Sequence, residues 1–274
     1  MKRFYEIFSW FIALSLLLSP LSALAVVEIS DGTIKALYSL EDTTDDSTLG
    51  HTLVNVGAAF AAGKLSNAAI TTSSQSDVLY ATSTADLTVT TASSSWAGWV
   101  YQESQPAELM VPFGKLFSDD SAGHMVYWDN GSNRLIYIVR KADNSGWVTV
   151  TASNFGALSV DTWYFVHAYH DADADVIGIS VNNGVANTTA FADGIRDNNS
   201  RLGIGAQQSA ATTWFRFWDG MVDELLLMKD RTLTSTELTN LYNGGSGDEV
   251  CVTVGCSTPP APAVAPTMKI VWWF

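Results

Sequence analysis

The chain has 274 residues and a formal net charge of −14, although only 15% of its residues are charged. A negative surface repels the phosphate backbone that supplies most of the affinity for DNA or RNA, so the charge disfavours a nucleic-acid partner. With 47% apolar and 11% aromatic residues, the chain can bury enough surface to offset its conformational entropy. The composition therefore excludes intrinsic disorder and predicts a compact domain.

Residues 1–25 have the pattern of a secretory signal peptide. A basic start precedes an apolar run over 8–18, and Ala23-Leu24-Ala25 has the small residues that a signal peptidase recognises. Retention as a membrane anchor is the alternative, but the run is shorter than the ~20 apolar residues that a spanning helix needs. We expect cleavage after Ala25, which leaves a secreted or cell-surface protein of net charge −15 with no transmembrane segment.

Short runs of β-branched and aromatic residues follow one another from Val26 to about Phe217. Examples are Trp96–Tyr101, Arg134–Arg140 and Trp163–Tyr169, and the Asn, Asp and Gly clusters between such runs are typical of tight turns. No helix of the length found in a βαβ unit separates the runs, which disfavours a parallel α/β sheet. The pattern predicts an all-β fold, either a sandwich or a barrel.

A single short helix is predicted after these strands. Thr234 and Glu237 have the spacing of a capping box, in which each side chain accepts a hydrogen bond from the other residue's backbone amide. Leu238 and Leu241 then lie on one helix face. Because a helix of fewer than about three turns needs tertiary packing to persist, it should lie against the strands.

The composition changes after Gly247. The predicted domain therefore spans residues 26–247, and residues 248–274 form a linker or tail rich in Cys and Pro. Four of the seven prolines fall close together in this segment, which favours extended chain. In an oxidising compartment we expect Cys251 and Cys256 to close a small disulfide loop, with two free thiols as the alternative.

Seven segments carry a pattern shared with a known family. They are Ala36–Asp42, Trp96–Val100, Asp161–Ala168, Ile177–Gly184, Arg201–Gly205, Phe217–Leu227 and Leu233–Tyr242. In this order they resemble the strands and closing helix of concanavalin A-like, laminin-G-type jelly-roll domains. The resemblance implies an antiparallel two-sheet jelly-roll sandwich with one short C-terminal helix. It also implies binding of carbohydrates or proteins outside the cell, often with a structural calcium ion, although a fold does not by itself define a function.

Acidic residues at two places are the predicted metal ligands. Asp42, Asp45 and Asp46 follow the first strand, and the resemblance places the late strand that contains Asp223 beside it. Calcium prefers several carboxylate and carbonyl oxygens drawn together by loops, so these four residues are the expected ligands of a structural calcium ion. The alternative is that the loop acids are solvated and that Asp223 only accepts local backbone hydrogen bonds.

Three tryptophans are the predicted ligand-binding residues: Trp128, Trp147 and Trp214. Turn or loop residues flank or precede each of them, and exposed rings beside amide and acid side chains provide stacking surfaces for a ligand. The alternative is packing within the sandwich, which is the commoner role of tryptophan in an all-β chain.

No catalytic residue is predicted. Glycoside hydrolases of the resembled fold carry acids that alternate along one strand as Glu-x-Asp-x-x-Glu, and this pattern is absent. Asp223 and Glu224 do not replace it, because adjacent strand residues point to opposite faces. The sequence favours a secreted, non-enzymatic module that binds a polysaccharide, a glycoconjugate or a surface protein. The alternatives are a structural or adhesive surface module and a polysaccharide hydrolase or lyase with an unrecognised site.

Overall fold

The computed structural model describes residues 26–105, 108–117, 122–197, 199–210 and 212–253. The predicted signal peptide and residues 254–274, which include Cys256, lie outside this range. The described residues form one compact unit. None of its helices is long and apolar enough to cross a membrane.

Nine strands form a first sheet, called the open sheet below. They are β3 (Val54–Val56), β6 (Val78–Ala81), β8 (Met110–Phe117), β9 (Ala122–Asp129), β10 (Arg134–Arg140), β11 (Trp147–Thr151), β15 (Leu202–Ile204), β16 (Gln207–Ala210) and β17 (Thr213–Phe215). Their order across the sheet is β11-β10-β9-β8-β15-β6-β3, with the β16–β17 hairpin joined to β8. All pairs except β16 with β8 are antiparallel.

Eight strands form a second sheet, called the covered sheet. They are β2 (Ile34–Tyr38), β4 (Ala59–Ala62), β5 (Asn67–Thr71), β7 (Ser94–Gln102), β12 (Trp163–Asp171), β13 (Val176–Val181), β14 (Asn187–Ala190) and β18 (Gly220–Lys229). Their order is β14-β13-β12-β7-β18-β5-β4, with β2 paired to β18. The two antiparallel sheets confirm the predicted jelly-roll sandwich.

The inward side chains of the two sheets form the main hydrophobic core. Trp128 of the open sheet packs against Trp218 with ring centroids 6.1 Å apart, and Trp96 of the covered sheet packs against Phe113 at 5.7 Å. All four side chains are fully buried. Each large ring removed from water contributes about 2–3 kcal/mol, so these contacts are a main source of stability for the sandwich.

The core also encloses polar side chains. The Lys115 ammonium lies 2.6 Å from the Asp197 carboxylate, and neither side chain is exposed. Nearby, the Trp96 indole donates a hydrogen bond of 2.8 Å to His124 Nδ1. Buried charge is tolerated only when it is paired, and the ion pair meets that requirement.

Helix α1 (Ser235–Tyr242) packs on the outer face of the covered sheet. The Thr234 hydroxyl accepts from the Glu237 amide, and the Glu237 carboxylate accepts from the Thr234 amide at 2.7 Å. The predicted capping box is therefore confirmed. Tyr242, at the end of the helix, stacks on Trp99 with ring centroids 5.9 Å apart, which supplies the tertiary packing that so short a helix needs.

The two ends of the described chain pair with each other. Strand β1 (Val26–Glu28) runs parallel to β19 (Glu249–Cys251). The predicted domain boundary at Gly247 is therefore too early, because the first residues of the expected tail belong to the fold. Cys251 is disulfide-bonded and is not a free thiol.

Candidate functional site

The outer face of the open sheet carries no helix in the described part of the chain, and several of its side chains are partly exposed. The strand register defines a row across it: Tyr80 pairs with Gly203, Gly203 with Gly114, Gly114 with Met125, and Met125 with Ile138. Directly paired residues point to the same side of a sheet. Arg140, two residues beyond Ile138, therefore points to this same face, and it pairs with Trp147 of β11.

Trp214 lies on this face as well. It belongs to β17, and its indole lies over Gly203, where the absence of a side chain leaves room for it. Its ring is 5.5 Å from that of Tyr80. Two of the three predicted ligand-binding tryptophans are thus on one surface, and Tyr80 adds a ring that the sequence did not single out.

Trp147 marks the opposite end of the face. Its side chain is 37% exposed, and the Arg140 guanidinium lies 5.1 Å from the ring centroid. Trp147 is on β11 and Trp214 covers β15, four strands further across the sheet. With a strand spacing of about 4.8 Å the two rings are roughly 19 Å apart, so only an extended ligand can contact both.

An apolar floor lies between the two tryptophans. Val111, Leu116 and Met125 are buried there, with the partly exposed Tyr127 and Ile138 packed against them. Aromatic rings around an apolar floor are typical of ligand-binding surfaces.

Trp128 does not belong to this face, and its prediction as a ligand-binding residue is wrong. The side chain is 0% exposed and packs in the core. Successive residues of a strand point to opposite faces, so on β9 the neighbouring Tyr127 is the outward ring. The turn residues beside Trp128 indicated an exposed ring. The alternation of side chains along β9 instead directs Trp128 into the core and Tyr127 outward.

The open sheet is almost free of acids. Asp129 is the only Asp or Glu in its nine described strands. Its carboxylate accepts hydrogen bonds of 2.9 and 2.6 Å from the amide and hydroxyl of Ser132 and so holds the β9–β10 turn. The pair of carboxylates needed for glycoside hydrolysis is therefore absent from the described strands of this sheet.

The predicted metal ligand Asp45 has a structural role instead. It is buried, and its two oxygens accept from the amides of Leu37, Ser47 and His51 at 3.1, 3.0 and 2.7 Å. These bonds hold the loop after β2 against the strand. The carboxylate is already used by the fold, as the alternative interpretation expected.

The other loop acids also serve local turns. Exposed Asp42 accepts from the Thr44 amide at 2.6 Å, and hydrogen bonds from the Thr44 side chain and amide hold the pKa of Asp42 below its usual value. Exposed Asp46 accepts from the Ser39 hydroxyl at 2.8 Å.

Asp223 is fully buried on β18. One carboxylate oxygen accepts from the amides of Lys64 and Leu65, both at 2.8 Å, and the other has no hydrogen-bond partner among the described residues. Burial outweighs these bonds and raises the pKa of Asp223 to about 7. Near neutral pH a substantial fraction of this side chain is therefore protonated.

An acidic pocket of about 400 Å³ lies beside Asp223. Its lining includes Glu41, Asp46, Glu224 and Glu249, from the loop after β2, from β18 and from β19. Burial and the neighbouring carboxylates raise the pKa of Glu224 well above its usual value. Glu249 could not be placed here from the sequence, because only the pairing of β19 with β1 brings it to this end of the domain.

The four predicted calcium ligands do not form one site. Asp45 is saturated by backbone amides, and Asp42 and Asp46 hold separate turns. Within the described residues, no three Asp, Glu, His or Cys side chains converge closely enough to hold a metal ion. The residues present therefore do not fit the predicted ion, whose hard charge needs several converging oxygens.

Comparison with family models identifies the fold. A model of the laminin-G-type branch of the concanavalin A-like lectin/glucanases superfamily matches residues 74–239, more than half of the chain. The chain belongs to the concanavalin A-like lectin/glucanase superfamily. A search of curated protein sequences finds no significant match.

Solved structures share the fold at low sequence identity. Domain 4 of AbnA, an extracellular GH43 arabinanase from Geobacillus stearothermophilus solved in complex with arabinotriose, is 17% identical with a TM-score of 0.60. The match covers 76% of this chain and 97% of that domain. At this identity the similarity shows the fold and not the ligand.

Toxin binding domains are similar in the same way. The binding domain of Paraclostridial mosquitocidal protein 1 is 12% identical with a TM-score of 0.59, over 77% of this chain and 52% of that one. The receptor-binding domain of botulinum neurotoxin mosaic serotype C/D is 10% identical with a TM-score of 0.58, over 78% and 51%. The chain thus spans about half the length of these toxin domains.

Proposed function

We propose that the protein is an extracellular, non-catalytic module that binds a polysaccharide or glycoconjugate on the outer face of its open sheet. The observation that carries the proposal is the alignment of Trp147, Tyr127, Trp214 and Tyr80 along one helix-free surface. Aromatic faces pack against the C–H surfaces of sugars, and a row of them suits a chain of sugar units.

The length of the row favours an oligomeric ligand. A small molecule would occupy one ring, whereas rings roughly 19 Å apart provide separate subsites along an extended chain. The arabinanase domain, which has the same fold, was solved with an oligosaccharide, arabinotriose. This supports carbohydrate as the ligand class.

The distribution of acids supports binding without catalysis. Glycoside hydrolysis needs two carboxylates on opposite sides of the bond that is cleaved. The described strands of the open sheet contain Asp129 alone, and that residue is engaged with Ser132. The predicted calcium ion is not part of the proposal, because its predicted ligands do not converge.

Two observations support an extracellular location. The signal-peptide pattern of residues 1–25 predicts export, and Cys251 is disulfide-bonded, a state that is stable in oxidising compartments. The arabinanase neighbour is itself extracellular.

A binding experiment tests the proposal. Residues 26–274 are titrated against a panel of polysaccharides that includes arabinan, by affinity gel electrophoresis and calorimetry, alongside the Trp147→Ala and Trp214→Ala variants. Each variant should bind about tenfold more weakly, because each lost ring removes a stacking contact of about 1.4 kcal/mol. Trp163→Ala is the matched control, since that indole packs on the outer face of the covered sheet.

Three outcomes are decisive. Weaker binding by the two open-face variants with an unchanged control supports the proposal. Absence of binding to every glycan would overturn it in favour of a structural or adhesive surface module. Release of reducing sugar from the panel would overturn the non-catalytic assignment.

A further inference from the structure

Three arginines that stack on aromatic rings lie on the proposed binding face of a strongly acidic protein. Arg140 is on β10, Arg201 immediately precedes β15, and Arg216 immediately follows β17. Asp and Glu outnumber Lys and Arg by 28 to 14 in the whole chain. Positive charge on this face therefore contrasts with the negative net charge of the whole chain.

Each arginine is held against an aromatic ring. The guanidinium of Arg201 lies 4.5 Å from the ring centroid of Tyr80, that of Arg216 lies 4.8 Å from Phe215, and that of Arg140 lies 5.1 Å from Trp147. A guanidinium stacked on a ring keeps its N–H groups directed outward from its edge. Two rings of the proposed sugar platform, Tyr80 and Trp147, and the neighbouring Phe215 thus orient three sets of hydrogen-bond donors.

None of the three arginines forms a salt bridge with a described residue, although Arg140 interacts electrostatically with Asp143 in the β10–β11 turn. Arg140 donates to the side-chain and backbone oxygens of Asn144, and Arg216 donates to the Gln207 amide oxygen at 2.7 Å. Arg201 stacks on its ring without a side-chain hydrogen bond to a described residue.

Elsewhere in the described chain three basic residues pair with acids, whereas Lys35 and Lys229 donate to backbone carbonyl oxygens. Lys115 pairs with Asp197, Lys141 with Asp193, and Arg231 with Asp31 and Glu237. In a protein with a twofold excess of acids, three ring-stacked arginines without a salt bridge on one face indicate positive charge that is available to a ligand.

Acids are almost excluded from the same face. Asp129 is the one acid in the described strands of the open sheet, and it lies opposite Arg134 in the register. The described strands of the open sheet therefore provide no acid that neutralises the three stacked arginines.

We propose that this face selects glycans that carry carboxylate or sulfate groups. The inference rests on the proposed function: the rings would contact sugar faces, while the guanidinium edges donate paired hydrogen bonds to the anionic substituents. Arginine presents two parallel N–H groups in the geometry that carboxylates and sulfates accept, which makes such contacts stronger than contacts to neutral hydroxyls. Single-stranded nucleic acid also binds to arginine beside aromatic rings, but the net charge of the protein opposes it.

The experiment compares ligands that differ in charge. Residues 26–274 are titrated with polygalacturonate (carboxylate only), a sulfated galactan (sulfate only), neutral arabinan and single-stranded DNA. The proteins are the parent, Arg201→Met, Arg216→Met and Arg201→Lys, with Lys35→Met on the covered sheet as the charge-matched control. Circular dichroism verifies that each variant is folded.

We expect an anionic glycan to bind at least tenfold more tightly than arabinan, with an affinity that falls as salt rises. Arg201→Met and Arg216→Met should each weaken this binding about tenfold, as expected for a lost charge-assisted hydrogen bond. Arg201→Lys should recover only part of it, and Lys35→Met should bind like the parent. Tighter binding of polygalacturonate or of the sulfated galactan identifies whether the face prefers carboxylate or sulfate groups.

Other results separate this inference from the proposed function. Equal affinity for neutral and anionic glycans, unaffected by the arginine changes, would overturn the inference and leave the carbohydrate module intact. Tighter binding of DNA than of any glycan would overturn it in favour of nucleic acid. Failure of every glycan to bind would overturn both.

Discussion

The indole of Trp214 lies so close to Gly203 that a Cβ at position 203 would be 2.6 Å from its Cζ3 atom. Gly203→Ala should therefore displace the ring from the open face. A Cβ there would also lie 2.8 Å from the Ala206 carbonyl oxygen, so the backbone must shift as well as the ring. We expect about a tenfold loss of glycan affinity together with a lower stability of the domain. Calorimetry with the best ligand measures the loss. Gly146→Ala is the control, since nothing lies within 4 Å of a Cβ at that position.

How far the sequence could predict the site is shown by Tyr127 and Trp128. In a strand, one of these two neighbours points inward and the other outward. Both faces of β9 are lined by apolar residues, so the polarity of the sequence does not indicate which of its side chains point inward. Trp147, which alternates with Thr149 and Thr151 on an edge strand, has a readable phase, and its prediction as an outward residue is in agreement with the structure.

Asp223 and Glu224 show a second limit. Strand alternation predicts that one is buried and the other exposed, but both are buried. The pairing of β18 with β7 slips between Asp223 and Leu226, and Glu224 has a φ of 50°, which together define a bulge. At Gly98, opposite the bulge, a Cβ would be 3.2 Å from the Leu225 backbone. Gly98 can be seen in the sequence. That it makes room for the bulge follows only from the pairing of β7 with β18, which the sequence does not show.

The burial of Asp223 predicts a pH-dependent stability. Its pKa is about 7 in the folded protein and 3.8 in the unfolded chain, so the stabilisation from this group is complete below pH 3.8 and is lost as pH rises through 7. Asp223→Asn mimics the protonated form and can still accept from the Lys64 and Leu65 amides. The variant should match the parent near pH 4 and be more stable above pH 7. Urea denaturation at both pH values measures the difference.

Calcium provides the contrasting explanation for the same residue. If Asp223 held a calcium ion, the carboxylate would remain ionised and EDTA would lower the melting temperature of the parent but not of Asp223→Asn. We expect EDTA and added calcium to leave both melting temperatures unchanged. A calcium-dependent rise in the parent alone would show that the buried carboxylate is a metal ligand and not a protonated acid.

The capping box of α1 predicts a local stability effect. Thr234→Ala removes the hydroxyl that accepts from the Glu237 amide at 3.2 Å and donates to its carboxylate at 2.9 Å. Loss of an N-cap of this kind costs about 1 kcal/mol of unfolding free energy. The change is read as a lower urea midpoint at constant slope. Thr236→Ala, in the first turn and exposed, should shift the midpoint much less, and equal shifts would argue against the cap.

Because Lys115 and Asp197 form a buried ion pair, we expect substitutions of the two residues to have non-additive effects on the free energy of unfolding. Lys115→Met removes the cation 2.6 Å from Asp197 and leaves that carboxylate buried with the Val89 amide as a remaining donor. Breaking a buried pair from one side costs about 3–5 kcal/mol, because one charge is left without compensation in a low-dielectric interior. The Lys115→Met/Asp197→Asn double variant removes both charges and should be more stable than the single Lys115→Met variant. A double-mutant cycle in urea measures the coupling, and a double variant whose loss equals the sum of the two single losses would show that the pair is not coupled.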